Sequence, residues 1–128
     1  MTVGREQIRR FAAAVGERAA CCHDVAAARA AGHPDLLAPP TFLVTLAAPA
    51  EDALLSRLGI ATDGLLHRAQ HFRHHRPVHA GDVLHATARL LGSGRALELE
   101  TVLTTGDATP VSTVRSTLLR PSPGGTRP

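Results

Sequence analysis

The sequence predicts an α+β fold in which an antiparallel β-sheet wraps around one apolar helix. Three observations carry that expectation. Apolar residues recur at helical spacing over the first third of the chain and switch to strict alternation after about residue 65. Between the two regimes lies one almost wholly apolar run, Thr41 to Ala48, preceded by Pro39 and Pro40. The alternating segments each leave one face apolar and one wet, as expected of an antiparallel sheet covering something, and helices followed by a run of strands indicate an α+β layout.

The elements follow in order. From Val3 to Val15, Ile8, Phe11, Ala12 and Val15 form an apolar stripe, with Arg5, Glu6, Arg9 and Arg10 on the other faces, and Gly16 closes the helix. Asp24 is placed to cap a second short helix that Gly32 ends, because a residue without a Cβ suits a left-handed stop. The Thr41 to Ala48 segment reads as a buried helix initiated by proline, which Pro49 should end or kink. Glu51 to Leu58 adds a further amphipathic turn or two with Leu54, Leu55 and Leu58 inward. Strands are then expected at Leu65 to Arg76, Val83 to Leu91, Ala96 to Thr104 and Pro110 to Arg120, arranged as a meander with turns at Pro77 to Asp82, Gly92 to Gly94 and Gly106-Asp107. One domain over residues 1–120 is expected, with a disordered Pro/Gly-rich tail at 121–128.

Composition narrows the function classes. Only Phe11, Phe42 and Phe72 are aromatic, so Leu, Val and Ala must fill the core and burial against a partner would help it. All fourteen basic side chains are Arg, giving a net charge of +3 and a pI near 10.1. No basic run exceeds two residues and no Tyr or Trp offers a stacking platform, so nucleic acid is not expected as a partner. A moderately basic surface suits an acidic protein equally well. No stretch reaches the ~18 to 20 apolar residues of a membrane span, and the charged start lacks a signal sequence, so a cytoplasmic protein is expected. The adjacent Cys21 and Cys22 are poorly placed to staple a fold and read as reduced thiols.

Two stretches carry a resemblance to a known family. Phe11 to Phe42, and the later phrase His75-Arg76-Pro77-Val78-His79-Ala80-Gly81-Asp82 with the strand before it, resemble the N-terminal domain of MaoC-like dehydratases, in the same order along the chain. The resemblance spans about Arg5 to Leu119. It implies a hot-dog fold that pairs into a double hot dog, and a role in dehydrating (3R)-3-hydroxyacyl thioesters borne on acyl carrier protein or coenzyme A, in fatty acid or polyketide biosynthesis.

The departures from that family matter most. Active members carry a loop resembling Ser-Gly-Asp-x-Asn-Pro-x-His-x-Asp, whose Asp and His act on the substrate. Here Val15-Gly16 match its start, Glu17 stands in place of the Asp, Cys22 in place of the His, and Asp24 matches the last Asp. Dehydration needs a general base and a general acid within hydrogen-bond reach, and a thiol does not replace imidazole as a proton shuttle near neutral pH. Where active members show something like Ala-His-Gly-Met before the central helix, this chain has Ala38-Pro39-Pro40-Thr41, and proline offers no N–H to a thioester oxyanion. No catalytic residue is therefore expected on this chain.

What the resemblance implies is a subunit whose MaoC-like catalytic partner supplies the Asp and His, in a heterodimer or heterotetramer, with homodimers when that partner is absent. This subunit would stabilise the partner and wall the acyl tunnel with Thr41, Phe42, Leu43 and Leu46, while Arg68, Arg73 and Arg76 are candidates to hold a carrier protein or a pantetheine phosphate. Two other readings stay open: a self-sufficient homodimeric thioesterase or hydratase using Glu17, and a non-enzymatic acyl-thioester binder. Cys22 near the start of the second helix reads as a small buried cysteine, with a nucleophile as the alternative, and Asp24 as a helix cap, with a dyad beside His23 as the alternative. No cofactor and no metal is expected. His67, His71 and His75 are placed on one strand face with successive members ~13 Å apart, too far to share an ion, which leaves His74 with His85 as the one cross-strand pair to consider.

Overall fold

A computed structural model describes residues 1–121; of the expected tail, 122–128 lie outside the described residues. The elements run α1 Arg5–Ala14, a 3-10 turn Ala20–Cys22, α2 Val25–Ala30, a second 3-10 turn Pro40–Leu43 leading into α3 Val44–Arg57, then β1 Leu66–His74, β2 His85–Ser93, β3 Ala96–Thr104 and β4 Pro110–Leu119. The α+β class and the helix-in-sheet arrangement expected from the sequence are those observed.

Both early helices end as their glycines dictate. Gly16 takes φ +75°, which lets Glu17 N–H reach back to the Ala12 carbonyl (2.8 Å). Gly32, at φ +93°, lets His33 N–H reach Ala28 O (2.9 Å). Asp24 caps α2, its carboxylate accepting from Ala27 N–H at 3.3 Å. Ile8 and Ala12 on α1 and Ala28 on α2 are the buried contacts that dock these helices.

Of the two outcomes expected of Pro49, an end or a kink, the end does not occur: Pro49 lies inside α3. The helix continues to Arg57 because Leu46, Ala47, Glu51 and Leu55 form one buried stripe that holds both halves against the sheet. Packing on that face outweighs the one backbone hydrogen bond that proline deletes. The proline itself is exposed.

The sheet order is β1-β4-β3-β2, entirely antiparallel. Only β2, β3 and β4 form a meander; β1 lies beyond β4, so the expected four-strand meander is corrected. Just ahead of β2, Thr2 pairs with Val83 and Val3 N–H bonds Asp82 O at 2.8 Å, so the N-terminus is tied to the segment that leads into that edge strand. Among the described residues no strand pairs with the outer edge of β1.

The register has a bulge between His67 and Ala69. It places His67 opposite buried Leu118 and Gln70 opposite buried Ser116, while His71 pairs with exposed Arg115. Since cross-strand partners share a face, His67 lies on the helix side and His71 on the outer side, and the expected common face of His67, His71 and His75 does not exist. The pairing of His74 with His85 fails too, because β1 and β2 are opposite edges of the sheet; His74 instead lies against Ser112 (Nδ1 to Oγ, 2.9 Å).

Two apolar clusters make up the core. The larger gathers Ile8, Leu36, Phe42, Leu84, Leu103 and Val111 among others, with Phe11 meeting Phe42 edge-on at 5.6 Å. The smaller holds Leu55, Leu97, Leu99 and Leu118. Between them runs a polar seam. Ser116 Oγ donates to Glu51 Oε1 at 2.7 Å and accepts from Gln70 Nε2 at 2.7 Å, which carries the seam out to β1. Thr101 is fully buried in the same layer.

Candidate functional site

The loop joining α1 to α2 holds the positions where an acid and a base were sought. Glu17 follows the Gly16 stop and is half-buried; its Oε2 accepts weakly from Ala19 N–H at 3.4 Å. The loop is held by its own backbone: Cys22 N–H to Ala19 O (3.0 Å), Asp24 N–H to Ala20 O (2.8 Å) and Leu37 N–H to Cys21 O (2.9 Å). Arg9 Nε ties the loop to α1 by donating to His23 O at 2.9 Å.

Cys22 is 2% exposed. Burial pushes its thiol up to about 11, with the neighbouring Cys21 and the negative Glu17 adding to the rise. At pH 7 the thiolate fraction is then on the order of 1 in 10,000. Such a thiol is an inert packing group, the small buried cysteine of the sequence reading and not its alternative, a nucleophile. The candidate dyad separates as well: His23 Nε2 lies 2.7 Å from Glu17 O, while Asp24 is engaged as the α2 cap.

At the start of the central helix, Pro39 is buried and its carbonyl accepts from Phe42 N–H at 2.9 Å. That donor is already used. Beside this turn lies an open apolar groove of about 430 Å³, walled by Leu37, Ala38, Pro40 and Leu43 on one side and by the chain from His74 to Val78 on the other. Of the four expected tunnel residues, Leu43 lines this groove. Phe42 and Leu46 point into the core, and Thr41 is exposed. Ala38 N–H to Val78 O (2.9 Å) and Ala80 N–H to Leu36 O (3.0 Å) pin the two walls to each other.

The three arginines are not brought together. Arg68 is exposed at the β1 bulge. Arg73 lines a second cavity, of about 420 Å³, on the outer sheet face. Arg76 is half-buried and occupied, its Nη1 donating to Asp82 Oδ2 at 3.1 Å and to Pro77 O at 2.9 Å.

Two features escaped the sequence reading. His33 Nδ1 lies 3.0 Å from His79 Nε2, bridging the turn after α2 to the turn after β1; burial and the facing His33 push His79 below the usual imidazole value. Glu51, 4% exposed, is raised above the usual carboxylate range by burial, against the opposing effect of its Ser116 hydrogen bond. The signal for Glu51 was present, because it stands four residues from both Ala47 and Leu55 on the apolar stripe of α3. The histidine pair had none, its members being 46 residues apart. Among the described residues no group of three or more His, Cys, Asp or Glu could hold a metal ion, and no helix is long and apolar enough to cross a membrane.

Comparison with known proteins gives consistent results. A family model described as FAS1-like, dehydratase domain region, matches residues 1–113. A UPF0336 protein of Saccharopolyspora erythraea is 42% identical over 124 residues, covering 91% of this chain and 80% of that protein. C-terminally truncated HadBC, the 3R-hydroxyacyl-ACP dehydratase complex of Mycobacterium tuberculosis, superposes with a TM-score of 0.85 at 29% identity, over 93% of this chain and 89% of that one. A MaoC-like dehydratase superposes with a TM-score of 0.88 at 28% identity, over 96% of this chain but 39% of that longer one. The hot-dog fold is common to these structures and to this chain.

Proposed function

The chain belongs to the FAS1-like dehydratase region family, and from that premise we propose that it is the substrate-shaping subunit of a two-chain (3R)-3-hydroxyacyl thioester dehydratase. The observation that carries this reading is the loop from Gly16 to Asp24. Its frame is kept, but its two chemical positions hold a half-buried Glu17 and a buried Cys22 thiol raised to about 11. The catalytic Asp and His then reside on a MaoC-like partner. This chain contributes the apolar groove that Leu43 lines, and the rigid sheet behind it.

Two further observations support a partner. The outer edge of β1 pairs with nothing among the described residues, and an uncovered edge invites association. The similar HadBC structure is itself a complex bearing the name of this activity. The partner docks on β1, in a heterodimer or a heterotetramer, and without it a second copy of this chain takes its place. The acyl group arrives on acyl carrier protein or coenzyme A, in fatty acid or polyketide biosynthesis in the cytoplasm.

The test follows hydration of a trans-2-enoyl thioester by loss of enoyl absorbance, for this chain alone and co-expressed with a MaoC-like partner. Activity only in the mixture, abolished by replacing the partner's catalytic histidine and kept after Glu17→Gln here, is the expected result. Turnover by the isolated chain that Glu17→Gln abolishes would overturn the proposal and make Glu17 the acting group.

A further inference from the structure

The outer face of the sheet carries a row of charge that spans all four strands. In register, Arg89 on β2 stands opposite Glu100 on β3, Glu100 opposite Arg115 on β4, and Arg115 opposite His71 on β1. The next row places Thr113 opposite Arg73. Glu100 is the one acid in the charged row, and it is consumed. Arg89 donates to its Oε1 from Nε (3.0 Å) and Nη2 (2.7 Å), and Arg115 Nε donates to its Oε2 (3.1 Å). These hydrogen bonds hold the carboxyl below the usual range. The other acid of this face, Glu98, also sits on β3 and accepts from Thr117 at 2.9 Å. Positive charge is therefore left uncompensated toward β1. Arg115 commits Nε alone to Glu100, and the guanidinium of Arg73 enters no ion pair or hydrogen bond among the described residues.

These side chains are not spread on a flat surface. His71, Arg73, His75, Thr113, Arg115 and Glu100 line the outer cavity of about 420 Å³. His75 also lines the apolar groove beside Leu43. The two cavities thus meet at the end of β1: one is apolar, and the other offers two guanidinium groups, two imidazoles and a threonine hydroxyl. Fork-shaped guanidinium donors match the oxygens of a phosphoryl group and bind it by charge-assisted hydrogen bonds.

We propose that the Arg73 and Arg115 cavity binds a phosphate ester of the same acyl thioester whose apolar end occupies the Leu43 groove, with His75 at the junction. The inference rests on the proposed function for the identity of the apolar end, and extends it by giving the anionic end a site. Arg73 supplies the free guanidinium. Arg115 is held by Glu100 with its Nη groups directed to the ligand, and Arg89 neutralises the carboxylate that would otherwise repel a phosphate.

The experiment is calorimetric titration of the full chain, in complex with its partner, with coenzyme A and separately with 4′-phosphopantetheine, at low and moderate salt. Binding to the wild type that weakens as salt rises, and by about tenfold in Arg73→Gln with partial recovery in Arg73→Lys, is expected. Arg73 is exposed, so circular dichroism of the variant should match the wild type. Binding of both probes assigns the pantetheine phosphate, which a carrier protein also bears; binding of coenzyme A alone assigns its nucleotide phosphates. Failure of both probes to bind, or affinity unchanged in Arg73→Gln, overturns the site. The two proposals fail separately. Enoyl hydration by the mixture with an unaltered KM in Arg73→Gln leaves the dehydratase reading standing and removes the site. Arg73-dependent binding with no hydration in any mixture does the reverse.

Discussion

Replacing Phe42 by Ala separates a core residue from a tunnel wall. Phe42 is 1% exposed, sits in the larger apolar cluster, and receives Phe11 edge-on with ring centroids 5.6 Å apart at 89°. Truncating a buried phenylalanine costs about 3–5 kcal/mol in lost burial and residual cavity, and the lost aromatic pair contributes about 0.5–1.5 kcal/mol within that range. With an unfolding entropy of roughly 2.1 cal/mol/K per residue over 128 residues, the melting temperature should fall by about 11–19 °C. A fall of that size uses a large share of the ~5–15 kcal/mol that a domain has in total. The assay is urea unfolding with a parallel calorimetric melt, Leu43→Ala serving as the comparison because Leu43 also faces the groove. A loss below about 1 kcal/mol for Phe42→Ala would refute the reasoning, since it would mean that the ring lies in an open cavity and not in a packed core.

Three further outcomes follow from the geometry. Cys22, with its thiol raised to about 11 and its side chain buried, should resist iodoacetamide at pH 7 in the native protein and react once unfolded in urea; fast native labelling, resolved by peptide mass mapping, would contradict the packing described. Glu51 binds its proton more tightly folded than unfolded, so it favours the fold below the unfolded value of about 4.3 and that contribution is lost as pH rises through the raised folded value. Glu51→Gln should therefore gain on the wild type in urea midpoint between pH 4 and pH 8, and a gap that stays constant would show that the carboxyl is not desolvated. Asp24→Ala removes the α2 cap and should cost about 1 kcal/mol, measured by the same unfolding curves, whereas no change would mean that the α1 to α2 loop holds its shape through its backbone bonds alone.

Most of the elements were legible because their signals are local. Gly16 and Gly32 stop their helices through their own φ angles, Asp24 caps through its own carboxylate, and Ala96–Thr104 is a strand whose alternation is written in Leu97, Leu99 and Leu103. The family resemblance was legible for a related reason, since loop phrases such as His75 to Asp82 keep their order along the chain. Pro49 misled because its local rule was overridden at a distance: the helix that carries Ala47, Glu51 and Leu55 packs against β2 and β3, which begin only at His85 and Ala96. The Arg68 bulge misled more subtly, because one unpaired residue exchanges the faces of every side chain beyond it.

By itself, then, the sequence determined the class of fold, the punctuation of its helices and the family it resembles, all legible from residues acting on near neighbours. Tertiary structure alone decided that β1 pairs with β4, and everything dependent on that pairing. It set His74 against Ser112, joined Gln70 through Ser116 to Glu51, and aligned Arg89, Glu100, Arg115 and His71 in one row. The physical reason is that side chains on different strands meet only once the register is fixed, and the register is set by which whole faces can be buried together.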